Sequence, residues 1–221
     1  MINELIEKTN KEEFYQNDNI YLINTKSEIG EHNVAEFTFI IEERDIYGNM
    51  AKSTLWKIIS NRTIEFKNFH NSNLLPYVKI KIIENHPLLW NFHEDNYECV
   101  LNGFPEKPNE FIGDLHFEFE NLTGNWLNLN EFIHNIKEYY KMNNSTTISI
   151  PKSVKDIFEK VCLKHKVEFN IENIKKNHKK GYTNRPNAKL LIFGNEEVCP
   201  NDYNLFQPYI IAESFMVTKI E

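Results

Sequence analysis

Residues 34–59 read VAEFTFIIEERDIYGNMAKSTLWKII, and the period of this stretch decides the fold. Over Val34–Glu43, Phe37 and Phe39 alternate with Glu36 and Thr38, the pattern of a strand with one face buried. Asp45–Asn49 supplies turn chemistry around Gly48, so Met50–Ile59 returns as the hairpin partner. Further alternating runs lie on either side. Ile20–Asn24 is a brief one upstream. Thr63–Phe69 and Tyr77–Glu84 follow downstream, the latter setting Val78, Ile80 and Ile82 against Lys79 and Lys81. Short strands separated by turn residues read as an antiparallel meander or half of a sandwich. Before them, Leu5, Ile6, Phe14 and Tyr15 punctuate a charged stretch that reads as a short amphipathic helix.

The rhythm breaks at His86-Pro87-Leu88-Leu89-Trp90-Asn91-Phe92, because proline lacks a ladder donor and holds His86 extended. Tyr97–Leu101 is one more strand. Glu110–Leu122 supports two periods: Leu115, Phe117 and Phe119 alternate, whereas Phe111, Leu115, Phe119 and Leu122 recur at helical spacing. Pro108 as an entry and Thr123-Gly124 as an exit favour the helix. Asn130 reads as the cap of a helix through Tyr140, and Asn143-Asn144-Ser145 as a linker. Pro151–Lys166 carries Val154, Ile157, Phe158, Val161, Cys162 and His165 on one helical stripe. Val167–Ile171 looks extended, Lys175–Lys189 reads as a polar loop, and Lys189–Phe193 and Tyr209–Ile220 read as closing strands. The expectation is an α+β fold. A largely antiparallel sheet fills the N-terminal half, helices pack from the middle of the chain, and C-terminal strands complete the sheet. Residues 1–221 are expected as one domain, with a division near 143–150.

Composition removes several function classes. At 221 residues with 41% hydrophobic and 13% aromatic content, the chain has material for a packed core and is not natively disordered. Its seven glycines are scattered, and no G-x-G-x-x-G, P-loop or G-x-S-x-G sequence can be written with them. The opening MINELIEKTNKEEF has acids where a signal peptide needs a basic, then apolar, segment. Cys99, Cys162 and Cys199 are odd in number and widely spaced, which fits reduced thiols. A cytoplasmic chain without a membrane segment is expected. The net charge of −7 is uneven: residues 1–150 carry 13 Lys/Arg against 23 Asp/Glu, and residues 151–221 carry 12 against 9. An acidic body repels nucleic acid and attracts a basic protein.

Four groups of residues can carry chemistry, each beside a plainer reading. On a strand, Asp114, His116, Glu118 and Glu120 would share a face and offer metal ligands; on a helix they scatter over a solvated surface. His86, His93, Glu94 and Asp95 flank Trp90 and could line a binding pocket, while Leu88, Leu89, Trp90 and Phe92 could equally plug a sheet end. Cys162 and His165 stand one turn apart, as a nucleophile and base or as core residues. Lys175, Lys176, Lys179, Lys180, Arg185 and Lys189, with His178 and Tyr182, form a basic segment without an acid, an anion grip or a solvated loop.

Together these features lead to the expectation of a cytosolic, non-catalytic binding protein without cofactor, an acidic partner that masks a basic protein. Its candidate binding residues are His86, Trp90, His93, Lys179 and Lys180. The alternative is a small enzyme assisted by a divalent metal, using His116 with Glu118 and Glu120, or His86 and His93 with nearby carboxylates.

Overall fold

The structure, a computed structural model, describes residues 2–12, 14, 18–28, 30, 33–69, 79–133, 145–179, 181, 184–194 and 207–220. Its longest pairing joins β2 (Val34–Arg44) to β3 (Met50–Asn61), in register from Val34↔Asn61 to Arg44↔Met50. The alternation in sequence becomes two faces. Ala35, Phe37, Phe39 and Ile41 point into a core with Trp56 and Ile58, while Glu36, Thr38 and Lys57 face outward. β1 (Asn19–Glu28) pairs with β2, and a bulge at Ile23 lets it run ten residues rather than the brief segment expected.

Two compact units emerge: residues 1–86, 187–196 and 203–221 make the first, and residues 87–186 and 197–202 the second. The first holds two four-stranded antiparallel sheets, ordered β1-β2-β3-β11 and β4-β10-β9-β5. The second sheet comprises β4 (Glu65–Lys67), β5 (Ile80–Ile83), β9 (Lys189–Phe193) and β10 (Tyr209–Ala212); β11 (Ser214–Lys219) returns to the first. Their inner faces share one core, with Phe39 edge-on to Phe193 at 6.1 Å and Phe37 against Phe66 at 5.4 Å. The sheets are joined at two corners. β3 passes into β4 through Arg62, at φ 50°, and β10 passes into β11 through Glu213. These two corner residues bond to each other at 2.9 Å. The single strand expected over Tyr209–Ile220 is therefore two strands in different sheets.

Helix α1 (Ile2–Thr9) buries Leu5 in this core. Its last turn is tied to the edge of the second sheet: the Thr9 hydroxyl accepts from the Ile80 amide at 3.2 Å, and the Asn10 amide donates to the Ile80 carbonyl at 3.2 Å. Two side chains thus stand in for a neighbouring strand and satisfy an edge residue.

In the second unit, β6 (Asn96–Asn102) is the centre of a sheet ordered β7-β6-β8, with β7 (Ser145–Pro151) and β8 (Glu168–Lys175) both antiparallel to it. Helices α3 (Pro108–Thr123) and α4 (Lys155–Lys164) cover one face, burying Phe111, Leu115, Phe119, Phe158 and Cys162 against Cys99, Leu101, Ile148 and Ile150. A short helix α2 (Trp90–His93) follows a 3-10 turn at Pro87–Leu89. The fold is α+β with antiparallel sheets, as its composition of elements led us to expect.

Glu110–Leu122 lies within α3, with Pro108 in its first turn and Gly124 closing it at φ 57°. Other boundaries shift. Pro151 ends β7 in extended geometry, ψ 153°, so α4 begins at Lys155, four residues later than the Pro151 start expected, after a 3-10 turn. Lys166, at φ 58°, stops it. Asn128, not Asn130, caps the turn at Leu129–Glu131, accepting the Asn130 amide at 3.0 Å; residues 134–140 lie outside the described residues. β8 extends to Lys175, beyond the Ile171 limit expected, because β6 offers it a partner edge over its whole length.

Candidate functional site

The tip of the β2–β3 hairpin is built against the usual rule for exposed turns. Ile46 and Tyr47 are 87% and 82% exposed, and Met50 is 62% exposed. Turns that face water normally carry polar residues, and contiguous exposed apolar side chains mark interaction surfaces. Asp45 locks the shape of the tip. Its carboxylate accepts the Tyr47 and Asn49 amides at 2.9 Å each, and its carbonyl accepts the Gly48 amide at 2.9 Å. The bond from the Asn49 amide, with the other tip amides, holds the Asp45 carboxyl below its ordinary pKa. Gly48, at φ 81°, supplies the left-handed residue that closes the loop, and Arg44 donates to its carbonyl at 3.1 Å. The apolar pair is thus presented by a turn whose Tyr47, Gly48 and Asn49 amides are all bonded to Asp45, which reduces the ordering entropy to be lost on binding.

Beside the end of β2 that leads into this turn lies an open cleft of about 360 Å³, lined by Glu4, Glu7, Lys8, Lys11, Phe14, Asp18 and Glu43. Four carboxylates face two lysines there. Lys8 pairs with Glu43, and Asp18 accepts the Arg44 amide at 2.8 Å. Burial, assisted by Glu43, raises the Asp18 pKa against the lowering effect of that amide.

The residues singled out in sequence belong to both units. His86 closes the first unit, whereas Trp90 and His93 belong to α2 in the second. His86 is buried, and that burial lowers its pKa to about 4. Trp90 is half-buried and packs on the core of its unit. The carboxylates beside it are tethers. Glu94 accepts the Ser153 amide at 2.8 Å and the Ser153 hydroxyl, anchoring the turn that leads into α4. Asp95 accepts the Asn177 amide at 2.8 Å and pairs with Lys176 at 2.9 Å. The basic segment is pinned further by Asn177, whose side chain donates to the Phe92 carbonyl at 3.0 Å. Lys179 is exposed in a 3-10 turn; Lys180 and Tyr182 lie outside the described residues.

On α3 the shared face that a strand would give does not form. At about 100° per residue, Glu118 turns roughly 200° away from His116, while Glu120 stays near it. Glu118 binds Lys160 at 2.8 Å instead. Among the described residues, no three His, Cys, Asp or Glu side chains are grouped to hold a metal ion. Cys162 is fully buried; that burial, with Cys99 nearby, pushes its thiol up to about 12, and burial pushes Cys99 up to about 11. His165 bonds Asp114 at 2.6 Å and packs edge-on against Phe111 at 5.5 Å. Such thiols are core groups, because the thiolate is the nucleophile and neither forms near neutral pH.

Charge follows the same logic. In the second unit, residues 87–133 hold nine acids against Lys107 alone, and residues 152–185 hold ten Lys/Arg against four acids. These halves meet as Asp114–Lys164 at 2.7 Å, Glu118–Lys160 at 2.8 Å and Glu106–Lys166 at 3.3 Å. The asymmetry along the chain is therefore complementarity within one unit. The sequence signal that would have found the hairpin tip is an apolar Ile46-Tyr47 between Asp45 and Gly48, where a turn needs none. No protein family model, curated protein or solved structure matches the chain.

Proposed function

We propose that the chain is a cytosolic, non-catalytic binding protein that engages a basic protein partner through the β2–β3 hairpin tip. The observation that carries this reading is the pair Ile46 and Tyr47, over four-fifths exposed on a turn held rigid by Asp45. The partner's chemistry follows from its surroundings. An apolar recess on the partner receives the two side chains, and basic groups around it meet Glu42, Asp45 and the acid-lined cleft that contains Glu4, Glu7 and Asp18. The first unit carries 12 Lys/Arg against 16 Asp/Glu, which steers a basic protein toward it and opposes nucleic acid. Among the described residues no helix is long and apolar enough to cross a membrane, and the described cysteines, Cys99 and Cys162, are free. The free thiols fit a reducing compartment.

The test replaces the anchor alone. The Ile46→Ser/Tyr47→Ser protein should keep its melting temperature, since both side chains are exposed. It should lose partner binding by about 30-fold or more, the scale of truncating an aromatic anchor. His116→Ala should bind as the parent does. Unchanged binding by the tip variant, measured by titration against the captured partner, contradicts the reading.

A further inference from the structure

β8 reads EFNIENIK from Glu168 to Lys175, and among the described residues no strand pairs with its outer edge. Its register with β6 contains one extra residue: Cys99 faces Ile171 and Glu98 faces Asn173, so Glu172 is the bulge. With the bulge counted as part of one position, β8 has seven positions of alternating face. Phe169, Ile171 and Ile174 lie on the helix-covered side; Glu168, Asn170, Asn173 and Lys175 lie on the other. Read about its centre the strand is a chemical palindrome. Glu168 mirrors Lys175, Phe169 mirrors Ile174, and Asn170 mirrors Asn173.

We propose that the outer edge of β8 is a homodimer interface, in which two copies pair their β8 strands antiparallel about a two-fold axis centred on the bulge. Each mirrored pair then faces its counterpart on the same side of a continuous six-stranded sheet. Two Glu168–Lys175 pairs close its ends, two Phe169–Ile174 pairs lie under the helices, and Asn170 meets Asn173 on the open face. The charges support this occupant over any other strand. Glu168 and Lys175 are both exposed, and among the described residues neither is in an ion pair. This contrasts with Lys160, Lys164, Lys166 and Lys176 of the same unit, all of which are paired. Ile171 and Ile174 are each 42% exposed where the apolar layer runs out at this edge, and a second copy covers them. A bulge twists an edge away from a flat foreign strand, but a second copy carries the same twist and meets it through the symmetry axis. The interface uses no residue of the hairpin tip, so it stands or falls separately from the binding reading.

Sedimentation equilibrium over micromolar to millimolar protein tests it. The parent should show concentration-dependent dimerisation, since a strand edge buries less area than a permanent dimer does. Lys175→Glu, which sets two acids opposite two acids, should weaken the dimer about tenfold, and Glu168→Lys should do the same. The double variant Glu168→Lys/Lys175→Glu should restore it, and an equimolar mixture of the two single variants should form a mixed dimer. Circular dichroism of each variant checks that the fold is kept. A parent that stays monomeric throughout, single variants that dimerise like the parent, or a double variant that fails to recover would each overturn the proposal.

Discussion

His86 illustrates how a single buried group shapes the molecule's response to pH. Its side chain is 3% exposed, and burial takes its pKa from the ordinary 6.5 down to about 4. The unfolded chain therefore binds a proton between these values that the folded chain refuses. Stability from this group is level above pH 7 and falls as the pH drops from about 6.5 to about 4, by ~3 kcal/mol in total. His86→Gln removes the titration. The stability difference between parent and variant, from urea unfolding at pH 7 and at pH 4, should change by about that amount. A difference independent of pH would show that His86 is not held neutral. At this same scale the sequence was least legible. Trp90 and His93 look like ligands because aromatics and imidazoles often are, but their neighbours Glu94 and Asp95 are occupied with the Ser153 and Asn177 backbone. Backbone partners come from 59 or more residues away along the chain, and no local pattern announces them.

At the scale of elements, local chemistry was readable wherever it did not compete with a distant partner. α3 begins at Pro108, whose missing N–H costs nothing in a first turn, and ends at Gly124 in the left-handed region. Gly124→Ala should therefore destabilise the protein by about 1–2 kcal/mol, seen as a lower melting temperature. A variant that melts with the parent would mean that the helix does not depend on this stop. The β2–β3 hairpin was legible for the same reason: alternation and turn chemistry agree. β8 and the start of α4 were not. The apolar stripe from Val154 to Cys162 is helical in period, yet Pro151 is claimed by pairing with Asn96 on β6. Likewise the run from Val167 reads as extended only to Ile171, and Lys175 as the start of a polar loop, until the edge of β6 is supplied. Tertiary pairing overrides propensity at both places.

For the whole molecule, charge was legible in amount and misleading in arrangement. The acidic first 150 residues and the basic remainder suggested one charged surface facing a partner. In the second unit much of that contrast is consumed where α3 and α4 pair acid to base. On the proposed reading, partner recognition falls to the first unit, where a two-sheet core holds a long hairpin and presents Ile46 and Tyr47 to water. On that reading the core and the bonds to Asp45 hold the tip in place, which makes two exposed side chains an anchor rather than an aggregation hazard. The most direct measurement places a photo-crosslinking amino acid at position 47, and in a control at position 117, where Phe117 is also exposed on α3. Irradiation in lysate should give one discrete adduct from position 47, displaced by excess unmodified protein and weakened as salt screens the acidic surroundings. No adduct from position 47, or the same adducts from both positions, would contradict a binding function at the hairpin tip.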